Sequence, residues 1–230
     1  MGRAGRIGRG APGGVARGRG GRHLPIPPSL HPSIPLTLAL FGGSFNPPHV
    51  GHLAVAEACA EGAGLDRVVW VPAATPPHKR GRADVAPAAD RLALVRAAVA
   101  GNTRFGVSDA EVARAGVSYT VDTVRAFAGL HPDADLSLVL GGDSLAGFAS
   151  WREPRAILAL ARLVVYGRPG ADLDAVPPWV SARVTRVEGP LVDLSSTELR
   201  ARIGAGRTVR YLVPDAVRAE IAARGLYRDG

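Results

Sequence analysis

Apolar residues recur along this chain in two patterns. Residues 36–41 (Leu-Thr-Leu-Ala-Leu-Phe) are almost continuously apolar and close on Gly42-Gly43, and residues 136–140 do the same before Gly141-Gly142. Runs this short, closed by glycines, predict buried strands. Residues 67–71, 105–112, 163–166 and 184–187 read as further strands. Between them the apolar spacing becomes helical: Leu53, Ala56 and Ala60 ahead of Gly62 and Gly64, then Leu92, Val95 and Val99 within 90–100. Helices are also predicted over 119–130, 196–203 and 214–224, and a Pro-rich loop over 72–87.

Apolar strands that alternate with helices imply a mostly parallel sheet covered on both faces. In such α/β folds ligands sit beyond the carboxyl ends of the strands. The two strands that end in Gly-Gly should therefore open onto one crevice. Neither an internal repeat nor a second domain is visible, so residues 36–230 read as a single α/β domain.

Charge changes the picture only at one end. The chain has 230 residues, 28 Lys+Arg against 20 Asp+Glu, and a formal net charge of +8. Residues 1–35 hold six of the arginines (Arg3, Arg6, Arg9, Arg17, Arg19, Arg22) and no acid, which leaves the remainder at only +2. The high pI therefore describes this arm, and the domain itself does not read as a nucleic-acid binder. With nine glycines and six prolines, the arm is expected to be disordered. A grip on RNA through its spaced arginines stays open; a dispensable tail or a misassigned start is the plainer reading. One cysteine, Cys59, excludes a disulfide framework and fits a reducing compartment. No apolar run approaches the roughly 20 residues of a membrane span.

The chemistry concentrates in Phe41-Gly42-Gly43-Ser44-Phe45-Asn46-Pro47-Pro48-His49-Val50-Gly51-His52. Paired glycines let backbone approach a ligand where the strand ends. The helix that starts near Gly51 offers free N–H groups and a favourable dipole to an anion. His49 and His52, three apart, should project into the same space. No third ligand or carboxylate lies nearby in sequence to complete a metal site. Phosphate donors for a phosphoryl or nucleotidyl transfer fit the pair better. The spacing is not that of a Walker loop.

The stretch GGSFNPPHVGH resembles bacterial nicotinate-nucleotide adenylyltransferases, and HVGH at 49–52 is the H-x-G-H signature of the nucleotidyltransferase superfamily. Pro76-Pro77-His78-Lys79, Ser118-Tyr119-Thr120, Gly142-Asp143-Ser144 with Trp151, and Leu194-Ser195-Ser196-Thr197-Glu198-Leu199-Arg200 are similar to further family elements, in order. Leu212-Val213-Pro214 and the closing Gly225-Leu226-Tyr227 match as well. The resemblance spans residues 36–228 and implies a Rossmann-like, doubly wound fold. It implies transfer of an adenylyl group from ATP to nicotinate mononucleotide, with Mg²⁺ carried mainly on the ATP phosphates and no protein metal site. His49, His52 and Arg200 would be catalytic. Gly42, Gly43, Ser44, Phe45, Gly51, His52, Ser195, Ser196 and Arg200 would bind ATP. Asn46, Lys79, Thr120, Asp143, Trp151 and Arg152 would bind the nicotinate nucleotide, with Trp151 on its ring and Thr120 at its carboxylate. Arg152 departs from the aromatic expected after the tryptophan, and would add a cation near that carboxylate.

Each element also has a plain structural reading. Ser195 to Thr197 cap a helix, Trp151 fills a core, and Asp143, after Gly-Gly, caps the next helix. What separates the functional reading is their joint occurrence in one order. Within the same class, nicotinamide mononucleotide or phosphopantetheine could be the acceptor. A class I aminoacyl-tRNA synthetase shares H-x-G-H, but the chain lacks a K-M-S-K-S loop. A non-catalytic nucleotide-binding regulator belongs to another class and would use the arm on RNA. Cytoplasmic location follows from cysteine usage and the implied substrates; a homo-oligomer is left open.

Overall fold

A computed structural model describes residues 1, 35–76, 84–167 and 176–228. Six strands, β1 (Thr37–Gly43), β2 (Arg67–Pro72), β3 (Phe105–Val107), β4 (Asp135–Gly141), β5 (Arg162–Tyr166) and β6 (Val184–Val187), form one sheet in the order β3-β2-β1-β4-β5-β6. Every neighbouring pair is parallel. This is the Rossmann-like, doubly wound α/β sheet expected, built as a single domain.

The strands alternate apolar residues between the two faces. Ala39, Phe41, Val68, Trp70, Val139 and Val164 point to one side. There they meet α1 (Val50–Gly62), α2 (Ala88–Val99), α8 (Ser196–Gly204) and α9 (Asp215–Ala223). Leu38, Leu40, Val69, Val71, Leu138 and Val165 point to the other. That face is covered by α4 (Thr120–Leu130), α5 (Gly142–Ala146), α6 (Pro154–Leu160) and α7 (Pro178–Ser181). Because both faces are buried over the middle of the sheet, β1, β2, β4 and β5 read as nearly unbroken apolar runs, while the edge strand β6 exposes Thr185 and Arg186. Phe127, Phe148 and Trp70 are wholly buried. Burial of a side chain of this size stabilises by about 2–3 kcal/mol each.

Two expectations differ in extent. The strand expected over 105–112 stops at Val107, and α3 (Ala110–Arg114) follows. The apolar residues Val107, Ala110 and Val112 are too few to separate strand from helix, and as part of α3 Glu111 accepts from the Thr123 hydroxyl. Residues 142–160, left without structure by the sequence pattern, form α5, a 3-10 turn (Phe148–Ser150) and α6. Most of the arm, and residues 77–83 of the Pro-rich loop with Lys79, lie outside the described residues. Among the described residues no helix is long and apolar enough to cross a membrane.

The order of the strands reverses beside β1, where β2 continues one way and β4 the other. Consecutive crossovers leave the sheet on opposite faces at this point, so a crevice opens above the carboxyl ends of β1 and β4.

Candidate active site

The turn after β1 is held from below. Gly43 has no room for a Cβ, which would stand 2.8 Å from the Phe45 ring. That ring folds back because Phe45 adopts a left-handed backbone, φ +47°. It packs against Phe41, Trp70 and His52 at centroid distances of 5.4, 5.1 and 5.2 Å. Asn46 is 1% exposed. Its amide donates to the Asp84 carbonyl (2.8 Å) and accepts from the Ala86 N–H (3.0 Å) and the Tyr227 hydroxyl (2.9 Å). Its side chain is thus engaged with the scaffold, and it is not among the residues that line the neighbouring cavity.

His49 is the N-cap of α1, and its backbone N–H donates to His52 Nδ1 (3.3 Å). With Nδ1 used as an acceptor, the ring proton of His52 is assigned to Nε2. The two imidazoles lie 3.8 Å apart, centroid to centroid. His49 is 6% exposed, its Nδ1 has no partner among the described residues, and burial pulls its pKa down to about 4. It is therefore neutral at ordinary pH. Gly51 permits this packing, since a Cβ there would lie 3.0 Å from His49 Nδ1. Helix α8 closes on the same turn. Ser195 caps it by accepting from the Glu198 N–H (3.1 Å), while the Ser196 hydroxyl donates to the Pro47 carbonyl (2.8 Å). One turn along, Arg200 donates to the Asn46 carbonyl (3.0 Å) and pairs with the Asp84 carboxylate.

On the other side of the 42–44 turn lies a cavity of about 630 Å³. Gly42, Gly43 and Ser44 form one wall and the end of β4 another; Thr120, Asp143, Trp151 and Arg152 share the same space. Trp151 rests on Phe148, 5.3 Å away. The Arg152 guanidinium sits 4.6 Å above the Tyr119 ring and 3.8 Å from the Glu153 carboxylate. Tyr119 is the N-cap of α4 with no side-chain cap, and Thr120, the first residue of that helix, lines the cavity.

The cytidylyltransferase-like family profile matches residues 40–202. The "probable nicotinate-nucleotide adenylyltransferase" of Salinibacter ruber is 49% identical over 193 residues, covering 84% of this chain and 98% of that protein. The protein of the same name from a Roseiflexus species is 46% identical, covering 83% and 98%. The chain belongs to the nicotinate-nucleotide adenylyltransferase family. Its fold is also that of the Plasmodium falciparum nicotinic acid mononucleotide adenylyltransferase solved with NaAD, at a TM-score of 0.68 and 15% identity, covering 85% of this chain and 98% of that one.

Against this family background, the expected site residues fall into two groups. Thr120, Asp143, Trp151 and Arg152 come together in the cavity; His49, Gly51, His52, Ser195, Ser196 and Arg200 gather around the start of α1. Gly42, Gly43 and Ser44 join the two groups. Three further residues, to which the sequence assigned no site role, also bear on the site. Glu111 lines the cavity although it is nearly buried, and accepts from the Thr123 hydroxyl (2.5 Å). Burial raises its pKa, while the Ser118 and Thr123 hydroxyls oppose that rise. Arg91 and Tyr227 hold the β1–α1 turn from beneath. Tyr227 was visible as part of a family ending. Glu111, in a segment read as strand, and Arg91, in a predicted helix, look like ordinary surface charges in the sequence, and only tertiary packing buries them.

Proposed function

We propose that this chain transfers the AMP moiety of ATP to nicotinate mononucleotide, giving nicotinate adenine dinucleotide and pyrophosphate. The supporting observation is the adjacency, across the 42–44 turn, of a paired-histidine helix start and a cavity that joins an aromatic face to a cation. The acceptor's pyridine ring stacks on Trp151, its ribose meets Asp143, and its carboxylate faces Thr120 and Arg152. An anion there gains from the start of α4 and from the guanidinium; a neutral amide gains less.

An oxygen of the acceptor's 5′-phosphate attacks the α-phosphorus of ATP in line. The new O–P bond forms as the bond to the β-phosphate oxygen breaks, and the electron pair leaves with pyrophosphate. A phosphate monoester is already a competent nucleophile, so no enzyme nucleophile is required. Positioning and charge stabilisation supply the rate. His52 Nε2–H and the neutral His49 ring donate toward the α- and β-phosphates. N–H groups of Gly43, Ser44 and Phe45 line the path. Arg200 and the N–H groups of Ser195 and Ser196 receive the β/γ end, where phosphate oxygens share Arg200 with Asp84. Among the described residues no group of three or more His, Cys, Asp or Glu could hold a metal ion. A divalent cation, which we assign as Mg²⁺, would be carried on the ATP phosphates and would offset their charge.

Incubation with ATP, Mg²⁺ and nicotinate mononucleotide, followed by chromatography, tests the reading. Dinucleotide and pyrophosphate are expected in equal amounts. ATP consumption without a dinucleotide would overturn it.

A further inference from the structure

Arg91 belongs to α2, yet it is 1% exposed. Each of its three guanidinium nitrogens donates to a main-chain carbonyl: Nε to Ala86 (2.8 Å), Nη1 to Ser44 (2.8 Å) and Nη2 to Ala74 (2.9 Å). The acids closest to it in sequence are engaged elsewhere, Asp84 with Arg200 and Asp90 with Arg224. Among the described residues no carboxylate forms an ion pair with Arg91. A buried guanidinium without a counter-charge is costly for the fold, so its retention needs a reason beyond packing.

The three carbonyls supply one. Ala74 lies in the loop after β2, Ala86 leads into α2, and Ser44 belongs to the turn after β1. One side chain therefore ties together the loops beside the crevice. The Ser44 bond matters most. The peptide plane between Ser44 and Phe45 carries both the Ser44 carbonyl and the Phe45 N–H, which point in opposite directions in a trans peptide. Its orientation is also what sets the Phe45 φ of +47°, a conformation that a bulky side chain rarely adopts. With the carbonyl drawn down to Arg91, the N–H is turned outward. Neither the Ser44 nor the Phe45 N–H donates to a backbone carbonyl among the described residues.

We propose that Arg91 is a positioning residue for phosphate binding: it fixes the Ser44–Phe45 peptide with its N–H toward the ATP phosphates and sets an uncompensated positive charge beneath them. This rests on the reading of the β1–α1 turn as the phosphate site. The carbonyl bonds stabilise the left-handed Phe45 backbone before ATP arrives, and the polyanion supplies the missing counter-charge when it binds.

Arg91→Met keeps the stem and removes both fork and charge; Arg91→Lys keeps the charge without the three-way fork. By analogy with the loss of an oxyanion donor, kcat/KM for ATP should fall about 10- to 100-fold in the Met variant and less in the Lys variant, with KM for ATP raised and KM for nicotinate mononucleotide unchanged. A merely structural role would lower the yield of folded enzyme and leave both KM values as they are, and that result would overturn the proposal. The wild-type enzyme gives a second readout that needs no variant. Addition of a non-hydrolysable ATP analogue with Mg²⁺ should shift the Phe45 amide resonance in the ¹⁵N–¹H spectrum. If the Ser44 and His52 resonances move while that of Phe45 stays, Arg91 does not act as proposed. If none of the three moves, the phosphate site itself is misplaced and the proposal falls with it.

Discussion

In the proposed reaction His49 and His52 take different parts, because their surroundings differ. His52 Nδ1 accepts from the His49 backbone N–H, so the ring proton is assigned to Nε2. Replacement by alanine removes a donor aimed at charge that develops only during transfer. His52→Ala should therefore lower kcat by about 10²–10³ with little change in KM for ATP, read by steady-state kinetics. His49 is a different case, since burial holds its pKa at about 4 against an ordinary 6.5. Between those values the unfolded chain takes up a proton that the folded chain does not. Stability thus falls as pH drops from about 6.5 to about 4 and levels off below, a loss of up to ~3 kcal/mol from this ring. His49→Gln should flatten that part of the profile of Tm against pH. An unchanged slope would mean that the ring is not buried as described.

At the scale of elements, α1 is the part whose start must be correct. Gly51 is its second residue, and the space where a Cβ would stand is 3.0 Å from His49 Nδ1 and 3.5 Å from Val192 Cβ. Gly51→Ala raises helix propensity but displaces the His49 ring. It should leave Tm unchanged or higher while kcat falls about 10- to 100-fold. Thermal melts and kinetics on one preparation check both signs. The strand–turn–helix around this glycine was legible in the sequence because glycines, prolines and histidines each impose a local constraint. The short helices α3, α5, α6 and α7 were not, since they have four to seven residues and their register is set by neighbours. The same limit hid Glu111 and Arg91, whose burial depends on segments distant in sequence. Asn46 was legible as part of the motif, but its place beneath the turn depends on Asp84, Ala86 and Tyr227, which come from far along the chain.

For the whole molecule, strand order determines where chemistry can happen. Placing β4 beside β1 brings residues from opposite halves of the chain to one crevice, so Gly43 and Trp151 face a single cavity. The sheet's own ties begin at Leu36, whose carbonyl accepts from the Asp135 N–H (2.9 Å). A chain started at Pro35 should therefore keep the kcat and KM values of the full-length enzyme. Loss of activity on truncation would give the basic arm a part in catalysis. The central claim, that this crevice selects an anionic pyridine nucleotide, is tested most directly by pyrophosphate release with ATP and Mg²⁺ across three acceptors. Nicotinate mononucleotide should give a far higher kcat/KM than nicotinamide mononucleotide, and phosphopantetheine should give no release. Equal rates with the amide and the acid would contradict the roles of Thr120 and Arg152, and with them the account of the pocket.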